Sequence, residues 1–390
     1  MRKQSLSGKI LIIIWPVIFG LSCKNTRTYS SDIPYQLSPG LKVDMSKLDS
    51  AKLTGFARDI RFIPLETRSD ILIRRVDRLK VTDSLLFVLD IMQKTIFIFD
   101  KSGKYISKIS KAGKGGDEYR NIDDFDPDES QKEIYVLDNL TSRLLIYDFQ
   151  GRLVKENKLP FHALEFSRLP GGYAFCNGNS CVNPFCDKVY FCNKAFAVVH
   201  TDVPIQSNLR NLDLMSDYPR LIKVGDSIRF VDINDFIYSF LDGKLMSTQR
   251  VDFGHFNRKV SFYDQKFMNA NDLASKQISD RNAGLSGYLE NEQMVMVKFY
   301  ISGRTFVYLY SKEKKHGIVL RETGSYYVDG IPTAIRGNEC YEPAVAADFF
   351  RQSSEDFSAT DSVFRRQLRA AHPAFREEDN PVIVKYSLNF

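Results

Sequence analysis

The chain has little tryptophan and histidine, and it lacks the motifs of the common catalytic and metal sites. One Trp and five His stand among its 390 residues. The histidines are scattered, with no H-E-x-x-H, and no two cysteines are spaced as C-x-x-C. No run of Lys or Arg accompanies the net charge of +6, which excludes a basic nucleic-acid arm. We therefore expect no nucleic acid partner, no cofactor and no metal.

Two loops have only a superficial likeness to ligand-binding motifs. Residues 113–116 (GKGG) lack the G-x-x-x-x-G-K spacing of a phosphate loop and predict a connector. Residues 123–129 (DDFDPDE) alternate acidic positions but lack the glycine and terminal glutamate spacing of an EF-hand. An inner strand followed by an acidic turn is the favoured interpretation of that segment.

The N-terminal apolar run is too short to cross a membrane. It covers residues 10–20 behind three basic residues, whereas a spanning helix needs about 20 residues. This pattern predicts a signal peptide over residues 1–22. Cys23 follows a small residue and resembles the lipidated cysteine of a bacterial lipobox, although Gly20 stands where Leu or Val is usual. An ordinary signal peptide or an uncleaved anchor is the alternative.

An internal repeat organises the rest of the chain. Residues 85–104 and 133–152 share two apolar strands followed by a tight turn. Three landmarks recur at an offset of 48 residues: Asp90 and Asp138, Asp100 and Asp148, Gly103 and Gly151. Aspartate and glycine suit the tight turns, because glycine adopts positive φ. With one strand upstream, each unit has four antiparallel strands, and a period of this length is typical of a β-propeller blade.

Weaker copies of the unit follow at 166–203, 228–243 and 294–310. We expect the last blade to combine a strand at 382–386 with one at 60–65, because joining both termini removes open sheet edges. Residues 344–351 and 361–371 have helical spacing and predict a helical insertion at about 344–372. The sequence thus predicts an all-β propeller over residues 51–390, behind a polar tether at 23–50.

Five segments carry a family resemblance: IPLET at 63–67, the two repeats, the linker GKGGDEY at 113–119 and DNPV at 379–382. Together they resemble the six-bladed β-propeller lipoproteins of gut Bacteroidetes, which are related to NHL-repeat propellers. The resemblance implies six four-stranded antiparallel blades and no settled biochemical role. It departs from the usual linker at Gly116 and Asp117. Because no acidic cluster follows Cys23, an outer-membrane lipoprotein on the periplasmic face is favoured over one on the cell surface.

Four cysteines cluster in the third repeat: Cys176, Cys181, Cys186 and Cys192. In an exported protein disulfides are favoured over free thiols, and a metal site is least favoured. One arrangement pairs Cys176 with Cys192 across a hairpin and Cys181 with Cys186 at its loop, but the sequence leaves the connectivity open. Cys340 then remains as a buried free thiol.

The connectors between blades are the candidate binding region. In the resembled architecture they deliver the chain to the innermost strand beside the central channel, where loops on a rigid scaffold concentrate binding residues. The candidate ligand-binding residues at this channel mouth are Arg74, Arg75, Asp77, Tyr119, Arg120, Asn121 and Asp123. For any one of them, hydrogen bonding between blades is the alternative role.

Two hypotheses about function remain. The first is a non-enzymatic binding or scaffold protein at the cell envelope, anchored only by its lipid, whose partner is a glycan, a peptide or another protein. The absence of a catalytic motif favours it. The second is a propeller hydrolase or lyase with a metal on the axis, which rests on analogy of fold alone.

Overall fold

The structure is a computed structural model that describes residues 38, 40–47, 56–181, 185–212, 218–321, 331–350 and 359–388. The predicted signal peptide and Cys23 lie outside these residues. The strands form six sheets, each with four antiparallel strands. This confirms the predicted six-bladed propeller.

The first strand along the chain, β1 (Ala57–Pro64), belongs to the last blade. Blade 1 contains β2 (Arg78–Val81), β3 (Leu85–Asp90), β4 (Thr95–Asp100) and β5 (Tyr105–Ile109). Blade 2 contains β6 (Asp124–Asp128), β7 (Glu133–Asp138), β8 (Arg143–Asp148) and β9 (Leu153–Lys158). Blade 3 contains β10 (Glu165–Leu169), β11 (Gly172–Cys176), β12 (Asp187–Asn193) and β13 (Val198–Pro204).

Blade 4 contains β14 (Leu221–Val224), β15 (Ser227–Val231), β16 (Ile237–Leu241) and β17 (Lys244–Gln249). Blade 5 contains β18 (Gly284–Glu290), β19 (Met294–Ile301), β20 (Arg304–Ser311) and β21 (His316–Arg321). Blade 6 contains, from the inside outward, β22 (Ala334–Arg336), β23 (Glu339–Ala344), β24 (Val382–Leu388) and β1. The N-terminal strand thus closes the ring beside the C-terminal strand, as predicted.

Alternating side chains along each strand fill the two neighbouring junctions between blades. In β3, Phe87 packs toward blade 2 whereas Val88 packs toward blade 6. Six apolar clusters of this kind occupy the six junctions. The first strand of each sheet lies innermost and contacts the first strand of a neighbouring blade. Burial of both sheet faces therefore holds the ring closed.

The repeated turns have the chemistry that the sequence predicts. The Asp100 and Asp148 carboxylates each accept backbone N–H groups from the residues two and four positions later, at 2.8–3.0 Å. Gly103 and Gly151 follow in the left-handed region, with φ of 88° and 77°. A side chain there is strained, which explains why glycine recurs at this position.

Two helical segments lie where they were predicted. A 3₁₀ helix at Ala346–Phe350 and an α-helix at Ala359–Ala371 form an insertion between β23 and β24. His372 and Pro373 follow the end of the α-helix. A further α-helix, Ala270–Ser279, stands between blades 4 and 5, where none was predicted. The Asn269 side chain caps this helix by accepting the N–H of Asp272 at 2.9 Å.

Part of the segment assigned to the tether is packed on the propeller. The N–H of Val43 donates to the carbonyl of Asp252 at 2.9 Å, and the N–H of Asp252 donates to that of Leu41 at 2.8 Å. Val43 is buried in the cluster between blades 4 and 5. Residues 41–43 therefore belong to the folded domain.

The predicted Cys176–Cys192 disulfide is wrong, whereas Cys181 and Cys186 are bonded to each other. In the register of β11 and β12, Cys176 stands opposite Val189, and Cys192 stands opposite Tyr173. The two thiols therefore point to opposite faces of the sheet, Cys176 toward blade 4 and Cys192 toward blade 2. Cys176, Cys192 and Cys340 are buried and free.

Candidate functional site

The two faces of the propeller differ in their connections. The face on which every innermost strand begins is called the top face. It carries the Cys181–Cys186 disulfide, the Ala270–Ser279 helix and the helical segments Ala346–Phe350 and Ala359–Ala371. The turns of the opposite, bottom face span two to four residues within the described chain. Binding residues concentrate on long loops over a rigid scaffold, so the top face is the candidate binding face.

Tyr119, predicted at the channel mouth, is fully buried between blades 1 and 2. Its hydroxyl donates to the carbonyl of Lys94 at 2.7 Å and accepts the N–H of Lys111 at 2.9 Å. Its ring packs edge-on against Tyr147. Burial raises the pKa of the Tyr119 hydroxyl. The prediction of a ligand contact is therefore corrected, and Tyr119 is a structural residue of the blade junction.

Asp77 and Asp123 occupy equivalent positions in blades 1 and 2, and each accepts a hydrogen bond from a backbone N–H on the top face. Asp77 accepts the N–H of Ile91 at 2.7 Å, and Asp123 accepts that of Asn139 at 2.9 Å. Burial raises the pKa of Asp123. Asp123 also accepts a hydrogen bond from the Asn121 side-chain amide at 3.3 Å. These side chains are engaged within the chain and leave few polar atoms for a ligand.

The backbones of Arg74 and Arg120 are held by the aspartates that mark the repeat. The N–H of Arg74 donates to Asp90 at 2.8 Å, and the N–H of Arg120 donates to Asp138 at 2.9 Å. Within the described part of the chain, neither guanidinium has a hydrogen bond or an ion pair. Arg75, in contrast, forms an exposed ion pair with Asp77.

Exposed apolar side chains accompany these two arginines. Met92 and Leu140, which are 48 residues apart in the repeat, are 67% and 71% exposed. Leu72 is half exposed, and its carbonyl accepts the side-chain amide of Gln93 at 2.8 Å. We call Leu72, Arg74, Met92, Arg120 and Leu140 the arginine surface. It joins two cations that lack partners among the described residues to three apolar side chains on blades 1 and 2.

The central channel contains its own ion pairs. A cavity of about 310 Å³ is lined by all six innermost strands. Arg78 lies 3.2 Å from Asp124 and 3.6 Å from Glu165, so one guanidinium bridges three blades. Burial opposes the charge of Arg78, but these carboxylates prevail and raise its pKa. The charged side chains of the channel therefore pair with one another and link neighbouring blades.

A larger cavity, of about 810 Å³, opens on the bottom face beside blades 1, 4, 5 and 6. Lys101 on its wall donates to the Tyr341 hydroxyl at 3.3 Å and lies 4.9 Å from the centre of that ring. Burial lowers the pKa of Lys101 to about 8, against the opposing effect of the Glu339 carboxylate. This lysine titrates closer to neutral pH than an ordinary one.

A third cavity, of about 210 Å³, lies on the top face between blades 4 and 5. The Ala270–Ser279 helix covers it, and Ser286, Lys298 and Tyr218 line it. Sequence analysis missed this site, because its residues lie in the weaker copies of the repeat. Asn269 with Asp272 and Leu273 is a helix-start pattern that would have indicated the covering helix.

Neither a metal site nor a membrane helix is found in the described residues. They contain no group of three or more His, Cys, Asp or Glu side chains placed to hold a metal ion. None of the helices in that part of the chain has the length and apolar character needed to cross a bilayer.

These features define the class of protein: an all-β, six-bladed propeller with long connections on one face. The chain belongs to the family described as Domain of unknown function (DUF4934), whose model matches residues 40–387. No curated protein matches it.

Two solved structures resemble this fold. One is a protein of Bacteroides fragilis described as exported, with 16% identity, a TM-score of 0.69, and coverage of 90% of this chain and 100% of that chain. The other is a member of the DUF4221 family from Bacteroides vulgatus, with 10% identity, a TM-score of 0.54, and coverage of 85% and 97%. Both similarities concern the fold.

Proposed function

We propose that this protein is an exported, lipid-anchored propeller of the bacterial cell envelope that binds an acidic segment of a peptide or partner protein without catalysing a reaction. The observation that carries the proposal is the arginine surface, where Arg74 and Arg120 lack partners in the described chain beside exposed Met92 and Leu140. Unpaired cations next to apolar side chains suit a partner with carboxylates and apolar groups.

A peptide or protein is favoured over a glycan by the kind of side chains on this surface. Arginine and methionine are enriched in protein interfaces, and arginine is often among the few residues that contribute most of the binding energy. The surface presents leucine and methionine beside its arginines. The backbones of both arginines are fixed by buried aspartates, so less conformational entropy is lost on binding.

Export and the lipid anchor are supported by different observations. The apolar run behind basic residues and the position of Cys23 indicate a lipoprotein signal. A solved protein of similar fold, from Bacteroides fragilis, is described as exported. Outer-membrane attachment with the propeller on the periplasmic side is the placement we propose.

A peptide-display selection on the purified mature domain tests this function. We expect enrichment of acidic peptides that contain apolar residues. Substituting Arg74→Ala and Arg120→Ala together weakens binding of an enriched peptide about 10- to 100-fold, at about 1 kcal/mol for each interface arginine. A double variant Lys155→Ala, Lys244→Ala is the control, because it removes equal charge elsewhere. Selection of no acidic peptide, or equal loss in both double variants, contradicts the proposal.

A further inference from the structure

The cavity between blades 4 and 5 owes its shape to a buried arginine. Arg258 is 1% exposed. Its guanidinium donates to the carbonyl of Gln277 at 2.7 Å, to Asp280 at 2.9 Å and to the Tyr263 hydroxyl at 2.9 Å. These bonds hold the Ala270–Ser279 helix over the cavity. A covering helix fixed by so many charge-assisted hydrogen bonds makes a preformed pocket.

The inner wall of the pocket is an irregular strand. The pairing of β18 with β19 shifts between Leu285 and Gly287, which makes Ser286 the extra residue of a β-bulge. At Gly287, a Cβ atom would lie 2.5 Å from the Tyr218 ring, so glycine allows that ring to form the adjacent wall. Bulges of this kind re-aim side chains and occur next to functional sites.

Ser286 in this wall has a hydroxyl group without a hydrogen-bond partner among the described residues. Its Oγ atom is buried and has no hydrogen-bond partner in the described structure. A buried hydroxyl without a partner destabilises the folded protein, so such atoms in native proteins call for an explanation. The residue lines the pocket, and rotation of its side chain to another χ1 rotamer brings the Oγ atom to a ligand there, which supplies the missing partner.

The charge of the pocket is positive. The Lys298 ammonium lies 5.7 Å from the centre of the Tyr218 ring and has no carboxylate partner in the described chain. The acidic residue there, Asp232, is neutralised by the buried Lys188 at 2.6 Å. A ligand with one negative charge therefore fits this electrostatic environment.

From these observations we infer that the pocket binds a small sugar acid, a monosaccharide-sized molecule with one carboxylate and several hydroxyl groups. Its carboxylate pairs with Lys298, and a hydroxyl pairs with Ser286. The volume of about 210 Å³ exceeds the roughly 150 Å³ of a cavity that accepts benzene, as expected for a substituted six-membered ring. This inference is independent of the proposed function, since the arginine surface lies on blades 1 and 2.

Titration of the purified domain with D-glucuronate by isothermal calorimetry tests the inference. We expect saturable binding with a Kd of about 0.1–1 mM, the range for a ligand of about a dozen heavy atoms. D-glucose, which lacks the carboxylate, and acetate, which lacks the hydroxyl groups, bind at least about tenfold more weakly.

Two variants separate a ligand contact from a structural role. Lys298→Met keeps the aliphatic stem and removes the charge, and it weakens glucuronate binding about tenfold or more. Ser286→Ala weakens binding severalfold but does not lower the thermal unfolding temperature, because the hydroxyl that it removes is buried without a partner in the described chain and costs free energy. Lys244→Met, on the outer strand of blade 4, is the matched control. Absence of saturation at about 10 mM glucuronate, or equal binding by Lys298→Met and the parent protein, overturns the inference.

Discussion

The Arg78 guanidinium in blade 1 and the Asp124 carboxylate in blade 2 lie 3.2 Å apart at the propeller axis. The second oxygen of Asp124 accepts the N–H of Phe166 in blade 3 at 3.1 Å. Arg78 in turn approaches Glu165, whose carboxylate accepts the N–H of Leu221 in blade 4 at 3.2 Å. One chain of charged groups thus joins the innermost strands of four blades.

We predict that Asp124→Ala lowers the free energy of unfolding by about 3–5 kcal/mol. The substitution leaves the mostly buried Arg78 with one carboxylate fewer, and removal of one partner from such a pair is strongly destabilising. Urea unfolding followed by circular dichroism measures the loss. Asp226→Ala, at the exposed turn between β14 and β15, serves as the control and changes stability by less than about 0.5 kcal/mol. A similar effect of both substitutions would show that the axial pair is unimportant.

Lys101 is predicted to titrate near pH 8 in the folded protein. Burial lowers its pKa from 10.5 to about 8, so the unfolded chain holds this proton more tightly. Between these two pH values, stability rises with pH, because the folded protein loses this proton whereas the unfolded chain keeps it. Below about pH 8 both states keep the proton, so Lys101 adds no pH dependence. Site-resolved acylation rates, measured by mass spectrometry, give the titration midpoint. Lys101 in the urea-unfolded chain is the reference. Equal titration midpoints in the folded and unfolded states would contradict the prediction.

The Cys181–Cys186 disulfide closes a short loop on the top face. Loop-closure entropy for so short a loop predicts that the double variant Cys181→Ala, Cys186→Ala loses about 2 kcal/mol of stability. Denaturant unfolding in the presence and absence of dithiothreitol measures it. The reductant destabilises the parent protein but leaves the double variant unchanged. In denaturant, alkylation before reduction labels Cys176, Cys192 and Cys340; a protected Cys176 would contradict the assigned pairing.

Lipidation at Cys23 predicts that the full chain expressed in a Bacteroides host incorporates radiolabelled palmitate. Cys23→Ser removes the acceptor thiol, so the label and the membrane-bound fraction are both lost. Cys340→Ser, a buried cysteine within blade 6, is the control and keeps both. Label retained by Cys23→Ser would place the lipid elsewhere.

The fold was predictable because blades 1 and 2 repeat the same local chemistry. Asp100 and Gly103 define a turn by contacts within a few residues, and the copy at Asp148 and Gly151 reveals the period. Such local patterns can be recognised in a sequence without any knowledge of tertiary contacts. The closure of blade 6 by β1 also followed, since an open ring would leave unpaired edges.

The site was less predictable, because burial and register are tertiary properties. Tyr119 and Arg120 are adjacent in sequence, yet one side chain is buried and the other lacks a partner in the described chain. Likewise, only the register of β11 and β12 shows that Cys176 and Cys192 face opposite ways. The pocket at Ser286 depends on a β-bulge and on a helix elsewhere in the sequence. The alternation of apolar residues reveals neither of them.

Substitutions at Tyr119 and Arg120 are therefore expected to have opposite effects on stability and on peptide binding. Tyr119→Phe removes a buried hydroxyl that bonds to the backbone of Lys94 and Lys111, so we expect a loss of about 1–2 kcal/mol in unfolding free energy. Peptide binding at the arginine surface stays unchanged in this variant. Arg120→Ala has the opposite result, with weaker binding and unchanged stability, because its guanidinium has no partner in the described chain. Measured side by side, unfolding and peptide titration assign each residue its role; a loss of binding in Tyr119→Phe at full stability would restore Tyr119 to the binding site.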